Sequence, residues 1–436
     1  MSIDPRSPIT RWLSRAPDVS FSLYAVAAAF TAYFCMYAFR KPLSAASYSE
    51  ISLQLSFFGQ ELVPKTIFVT SQICGYCVSK YVGVKICSEV TRSKLPLCLV
   101  AAIVVAWLSL LLFAVLPVRL KILAIFCNGL PLGFIWGFVV RYLEGRRTSE
   151  ILLAGLSCSY ILASGEVKSV GKWLIQDHNV PELWMPFVTG AVFFVPFLLA
   201  VFLLKQLPPP TDHDVKLRTV RQSMDGAERW NFAKRFLPGL LLLLVTYFFL
   251  TAFRDFRDNF QHELFEEMGI KDSGAFSRTE RPVAFGVMAA LAMLYLIKSN
   301  RWGLLATYLL MIAGLALLAI STILYQAGSL QGETWMILSG LGAYLAYVPY
   351  GSVLFDRTIA YTRYAGTAVF AIYLADAVGY TGSVGIMFYK DFFASETSRL
   401  EFFQGFVYVL TIVGTILLVF SALYFVKSSQ GGGKSG

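Results

Sequence analysis

Tyr33-Phe-Cys-Met-Tyr37-Ala-Phe-Arg40-Lys41 closes the first long apolar run of the chain, and Tyr247-Phe-Phe-Leu-Thr-Ala-Phe-Arg254 repeats its frame in the second half. The offset is 254 − 40 = 214, and it also superimposes Tyr33 on Tyr247, Phe34 on Phe248, Ala38 on Ala252 and Phe39 on Phe253. An Arg in the middle of a membrane helix costs about 2.5 to 3.5 kcal/mol even on lenient insertion scales. A membrane protein that keeps two at matched places is expected to use them.

The composition puts them in a membrane. Of 436 residues, 56% are hydrophobic and only 15% charged, and the mean hydropathy is +0.62, too apolar for an ordinary soluble protein. Runs long enough to cross about 30 Å of hydrocarbon as helices occur near 20–46, 62–86, 95–117, 120–142, 150–173 and 184–204, then near 236–259, 280–298, 302–325, 334–355, 364–388 and 402–426. The expected fold is all-α and polytopic: twelve transmembrane helices in two groups of six. The polar, basic interval from Leu207-Pro-Pro-Pro210 to Arg235 separates them. This gives an N-terminal segment 1–19, a first bundle 20–206, a linker 207–235, a second bundle 236–426 and a flexible tail 427–436.

The offset of 214 recurs elsewhere. It carries Ser169-Val-Gly171 with Asp177 onto Ser383-Val-Gly385 with Asp391, and Gly137 with Val139 onto Gly351 with Val353. One offset serving helix pairs 1/7, 4/10 and 5/11 reads as an internal repeat. Parallel six-helix repeats resemble the construction of the major facilitator superfamily, with a substrate site near the midplane between halves. On that resemblance Arg40 and Arg254 are expected to face each other across the site.

The formal charge of +10 does not point to nucleic acid, because the basic residues fall mainly in alternate connections, as the positive-inside rule predicts. Arg92 and Lys94, Arg146 and Arg147, then Lys205, Lys216, Arg218, Arg221, Arg229, Lys234 and Arg235 mark one side as cytoplasmic, with both termini. A bacterial cytoplasmic (inner) membrane is the expected location. Seven cysteines lie in or beside apolar runs rather than in outward loops, which disfavours a disulfide framework, and Cys74-Gly-Tyr-Cys77 lacks the second ligand pair of a metal site. No metal or cofactor is expected. A soluble enzyme is excluded by composition, and no nucleophile, base or metal cluster stands out for a membrane enzyme.

The chemistry centres on the arginines. A guanidinium presents a planar fork of donors and stays charged, which suits a phosphate or carboxylate, and a pair suits a dianion. Lys41 follows Arg40 directly, Lys80 lies one turn from Tyr76 on helix 2, and Tyr37 and Tyr33 precede Arg40 by one and two helical turns. Tyrosine hydroxyls there can hydrogen-bond an anion without adding full charge.

Tyr33, Tyr37, Arg40-Lys41, Tyr76 and Ser79-Lys80 resemble the substrate-site pattern of the organophosphate:phosphate antiporters, the glycerol-3-phosphate and hexose-phosphate exchangers. Asn128-Gly-x3-Gly133-x2-Trp136, Arg254, Glu280-x5-Gly286, Ala365-Gly-Thr-Ala368 and Gly379-Tyr380 extend the likeness. The resemblance implies transport of a phosphate ester, with the two arginines on the phosphoryl group and Lys80, the tyrosines, Trp136 and Tyr380 lining the pocket. The chain departs from it on helix 5, where glycerol-phosphate members place a His and this chain has Ser159; His178, His213 and His262 all fall in connections. Glu166 and Lys168, Asp255 and Asp258, and Asp376 are additional charges and, with Glu280, candidates for ion pairs or coupling.

The resulting expectation is a monomeric secondary transporter of an anionic, phosphorylated metabolite, in exchange for inorganic phosphate. A proton-coupled symporter of an organic carboxylate such as a sugar acid is the alternative, with Asp376 or Glu166 as the proton site. A membrane sensor of sugar phosphates, working with a partner, stands as a second alternative.

Overall fold

Pro42 decides where the first helix stops. A proline has no N–H to offer the preceding turn and crowds the residue before it. The sequence predicts a helix through 46. In the computed structural model, which describes residues 7–51, 56–57, 60–61, 63–143, 149–210, 226–362 and 368–428, helix α1 (Asp18–Tyr37) ends three residues before Arg40. Three-residue turn bonds follow, from Ala38 N–H to Cys35 O and from Arg40 N–H to Tyr37 O. Arg40 has φ −121° and ψ −56°, and Lys41–Ala45 is a 3-10 turn. Arg40 therefore sits on a break rather than inside a helix. Its counterpart Arg254 is followed by Phe256 where the first half has Pro42, and α7 (Leu237–Asn259) runs helical straight through it.

The remaining long helices are α2 (Pro64–Glu89), α3 (Leu95–Val115), α4 (Val118–Leu143), α5 (Ser149–Gln176), α6 (Met185–Lys205), α8 (Ala275–Tyr295), α9 (Asn300–Gln326), α10 (Gly332–Ser352), α11 (Ala368–Phe393) and α12 (Arg399–Ser428). Short helices cover Pro8–Leu13, Gly226–Arg235, Gln261–Glu267 and Leu354–Thr362, and a two-residue strand pair joins Ser56–Phe57 to Gln60–Glu61. Of the expected basic residues, Arg146, Arg147, Lys216, Arg218 and Arg221 lie outside the described residues, as do His213, 365–367 and the tail from 429.

Among the described residues, seven helices (α1, α3, α4, α6, α7, α9 and α12) are long and apolar enough to cross a membrane, and α10 with the short helix beyond its 50° bend makes an eighth. The other four, α2, α5, α8 and α11, have 26, 28, 21 and 26 residues, enough to span. They carry charge along their length: Lys65 and Lys80 on α2, Glu166 and Lys168 on α5, Glu280 and Arg281 on α8, Asp376 and Lys390 on α11.

The chain divides into two compact units, Met1–Thr219 with Asp272–Arg278, and Val220–Lys271 with Thr279–Gly436. Within the first, α1 packs on α4, α5 and α6, and α3 on α4 and α6; within the second, α7 packs on α10, α11 and α12, and α9 on α10 and α12. Every one of these pairings maps onto its counterpart by adding six to the helix number. One side-chain contact repeats as well. Tyr33 meets Trp136 at 4.9 Å between ring centroids, and Tyr247 meets Tyr350, at 136 + 214 = 350, at 4.6 Å.

Glycine sets the closest approach in the first unit. A Cβ on Gly75 of α2 would overlap the Phe126 carbonyl of α4, and one on Gly129 of α4 would overlap the Gln72 carbonyl of α2. Backbones this close are the small-residue packing by which membrane helices gain van der Waals contact without a hydrophobic driving force. Gly129→Ala should therefore cost about 1 to 3 kcal/mol as overpacking, seen as a lower melting temperature of the purified protein; an unchanged melting temperature would contradict the packing described.

Candidate functional site

The break at Arg40 frees backbone carbonyls in the interior, and three side chains satisfy them. Asn128 Nδ2 donates to Phe39 O at 3.1 Å, Gln72 Nε2 donates to Arg40 O at 3.3 Å, and Lys65 Nζ donates to Ser44 O at 2.9 Å. Gln72 and Asn128 are themselves joined, Nε2 to Oδ1 at 2.7 Å, and Asn128 Nδ2 also reaches Ala106 O at 2.9 Å. All three side chains are buried. Buried polar groups left unmade cost about 1 to 3 kcal/mol each, so this network fixes the turn that carries Arg40. Asn128 was visible in sequence only through its motif; Gln72 and Lys65 had no signal, because a Gln or Lys on an apolar helix says nothing about which carbonyl it reaches.

Arg40 lies with its guanidinium carbon 4.0 Å from the centroid of the Tyr76 ring, and Lys80 Nζ lies 5.2 Å from the same centroid. Two expected site cations thus contact one aromatic ring, a contact worth about 0.5 to 2 kcal/mol for each depending on solvent access. Arg40, Lys41, Lys80 and Tyr76 are all at most 6% exposed. Tyr33, Tyr37 and Trp136 form a second cluster: Tyr33 meets Tyr37 edge to face at 5.6 Å and Trp136 at 4.9 Å, and Trp136 continues to Tyr160 at 6.3 Å. Ser159 is fully buried and donates to Leu156 O of its own helix at 2.6 Å.

Charge is buried one-sidedly in this unit. Its buried charged side chains among the described residues are Arg40, Lys41, Lys65, Lys80, Lys121 and Lys168, six cations and no carboxylate. Lys121 caps the end of α3, donating to Phe113 O at 2.6 Å and Ala114 O at 3.1 Å, where the helix dipole favours a cation. Glu166 is half-buried and accepts from Ser277 Oγ at 3.1 Å, and Lys168 Nζ lies 5.5 Å from the Phe276 ring centroid. Two residues apart on α5, they point to different sides of the helix.

In the second unit both buried arginines contact a carboxylate, while Asp258 and Lys390 are buried as well, Lys390 Nζ donating to Ala394 O at 2.9 Å. Arg254 Nη2 donates to Asp255 Oδ1 at 2.6 Å and Nη1 to the Tyr347 hydroxyl at 2.6 Å. Its guanidinium carbon lies 4.4 Å from the Tyr347 ring centroid and 5.9 Å from that of Tyr380. Asp255 Oδ2 accepts from Ser383 Oγ at 2.7 Å. One turn on, Arg257 Nη1 donates to Glu280 Oε1 at 2.7 Å and Nη2 to Met336 O at 2.8 Å, and Gln261 Nε2 donates to Glu280 Oε1 at 3.0 Å. A Cβ on Gly340 would meet Arg257 Nη2 at 2.5 Å, so that glycine makes room for the guanidinium. Asp376 Oδ1 accepts from the Tyr247 hydroxyl at 2.9 Å.

Sequence reasoning placed Arg254, Asp255, Glu280, Asp376 and Tyr380 in this region and missed Arg257 and Tyr347. The spacing Arg254-x-x-Arg257 puts both on one side of α7 and was the available signal. Removing one partner of a buried pair strands the other charge. Glu280→Gln is expected to destabilise the protein by about 3 to 5 kcal/mol, and Arg257→Met in the same chain should recover part of it; a denaturation series on the single and double variants measures both.

The sequence matches the family described as "Family of unknown function (DUF5690)" over residues 42–428. No curated protein matches it. Two solved structures are similar in fold: the crystal structure of a D-xylose-proton symporter, 13% identical with a TM-score of 0.60, over 92% of this chain and 97% of that one, and the xylose transporter XylE from E. coli in a partially occluded inward-open conformation, 14% identical with a TM-score of 0.58, over 94% and 98%. The fold is the major facilitator fold: among the described residues, twelve long helices in two pseudo-symmetric sets of six, the architecture of an integral multi-pass membrane protein.

Proposed function

The chain belongs to this family of unknown function, and we propose that it is a secondary transporter of a small phosphorylated metabolite, moved by alternating access in exchange for inorganic phosphate. The observation that carries the reading is the one-sided burial of charge in the first unit, six cations with no buried carboxylate among the described residues. A phosphate monoester carries about −1.5 to −2 charges at neutral pH, and Arg40 with Lys80, held on one ring, can engage it together. Arg40 supplies the planar fork and Lys80 the point charge; within the second unit Arg254 offers a guanidinium of its own, with Tyr347 and Tyr380 beside it. A cationic pocket is costly to carry empty across the transport cycle, so the loaded form is the one that crosses, and exchange follows. Positive connections between helices favour both termini on the cytoplasmic side of a bacterial inner membrane.

A specific contact favours a second reading. The Tyr247–Asp376 hydrogen bond gives the second unit a carboxylate that could take a proton, and one similar fold belongs to a D-xylose-proton symporter. Proton-coupled uptake of an organic carboxylate would use the same cations.

Counterflow in proteoliposomes separates them. With labelled phosphate inside, external glycerol phosphate or hexose phosphate is expected to accelerate its exit, and Arg40→Ala to reduce exchange at least about 10- to 100-fold, the worth of charged hydrogen bonds, in protein that still folds. Exchange retained in Arg40→Ala would remove the site assignment. Sugar-acid uptake driven by a pH gradient, and abolished by Asp376→Asn, would replace exchange with symport.

A further inference from the structure

Arg254 and Asp255 are consecutive residues of α7, and consecutive residues on a helix diverge by about 100°. Their side chains nevertheless meet, Nη2 to Oδ1 at 2.6 Å. Helical geometry alone does not bring them together, so both are held by other elements. Asp255 is held from α11, where Ser383 Oγ donates to Oδ2 at 2.7 Å. Arg254 is held from α10, by the Tyr347 hydroxyl at 2.6 Å. Asp255 is 1% exposed and Arg254 8%.

The contact between the two is a single N–H to a single oxygen. A guanidinium has five N–H donors, and the contacts with Asp255 and Tyr347 use two of them. The carboxylate therefore holds only one arm of the fork that recognises an oxyanion through two parallel bonds, the Nη1 arm donating to the neutral Tyr347 hydroxyl. The repeat adds a contrast: Asp255 stands where the first unit has Lys41, at 255 − 214 = 41. At matched positions one half follows its arginine with a cation and the other with a carboxylate.

We propose that Asp255 is an internal counter-anion for Arg254, a built-in carboxylate that an incoming oxyanion must displace. The proposal rests on the reading that Arg254 binds the transported anion, and adds what occupies it beforehand. It makes Asp255 a specificity-determining residue. A ligand able to take both arms of the fork, such as a phosphate monoester, displaces a carboxylate held through one; a ligand offering a single acceptor does not. Asp255 then sets a threshold that selects for bidentate oxyanions.

The test uses the purified full-length protein, with inorganic phosphate, glycerol phosphate and sulfate as probes. Asp255→Asn keeps the shape and removes the charge. It is expected to tighten phosphate binding in calorimetry about tenfold or more and to enlarge the rise in melting temperature that sulfate produces; adding Arg254→Gln should cancel both gains. Asp255→Ser carries the same comparison if the Asn variant does not accumulate. Binding no tighter than in the parent, or a gain that survives Arg254→Gln, overturns the proposal. If the parent binds no phosphate ester but Asp255→Asn gains Arg254-dependent stabilisation by sulfate, the transport reading fails and the counter-anion stands.

Discussion

A cation taken out of water must be solvated by the protein around it, and the two halves of this chain meet that requirement differently. Among the described residues, the buried charges of the first unit are all cations, with aromatic rings and backbone carbonyls beside them: Arg40 and Lys80 at Tyr76, Lys65 on Ser44 O, Lys121 on the end of α3. In the second, both buried arginines contact a carboxylate, Arg254 with Asp255 and Arg257 with Glu280. Carbonyls and rings offer partial charges, and a carboxylate offers a full one. The fold is symmetric and the electrostatics are not.

The backbone differs as well, at one residue. Pro42 ends α1 before Arg40, and the freed carbonyls recruit Asn128, Gln72 and Lys65. The network in turn requires α2 and α4 to pack at backbone distance, which Gly75 and Gly129 allow. With Phe256 in the matched place, α7 stays helical, its carbonyls stay inside the helix, and no such network is needed. Rigid polar support at Arg40 and a continuous helix at Arg254 are two outcomes of a single difference in a repeated sequence.

Much of the fold was legible because it rests on periodic, local signals. Apolar runs marked the helices, and one offset of 214 paired Tyr33 with Tyr247 and Arg40 with Arg254. The same arithmetic reached further than the eye: Trp136 and Tyr350 are different residues, yet each ring packs against the matched tyrosine. Pro42 is legible too, but not its consequence, since a single proline can kink a membrane helix as easily as end it. What the sequence could not supply was partner choice. Glu280 was visible as a buried acid, but its pairing with Arg257 rather than Arg254 depends on how α7 and α8 are rotated, and a linear pattern does not carry that. Gln72 and Tyr347 were hidden for the same reason.

The pairing of Arg254 also changes what two matched arginines mean. Read from sequence, they form a symmetric clamp for a dianion, each contributing one full charge. With Asp255 in contact, the second guanidinium contributes hydrogen-bond donors while its charge is largely offset. On the proposed reading, Arg40, Lys41 and Lys80 supply attraction for an anion and the geometry around Arg254 supplies discrimination among anions, so removing Asp255 would trade the second for the first.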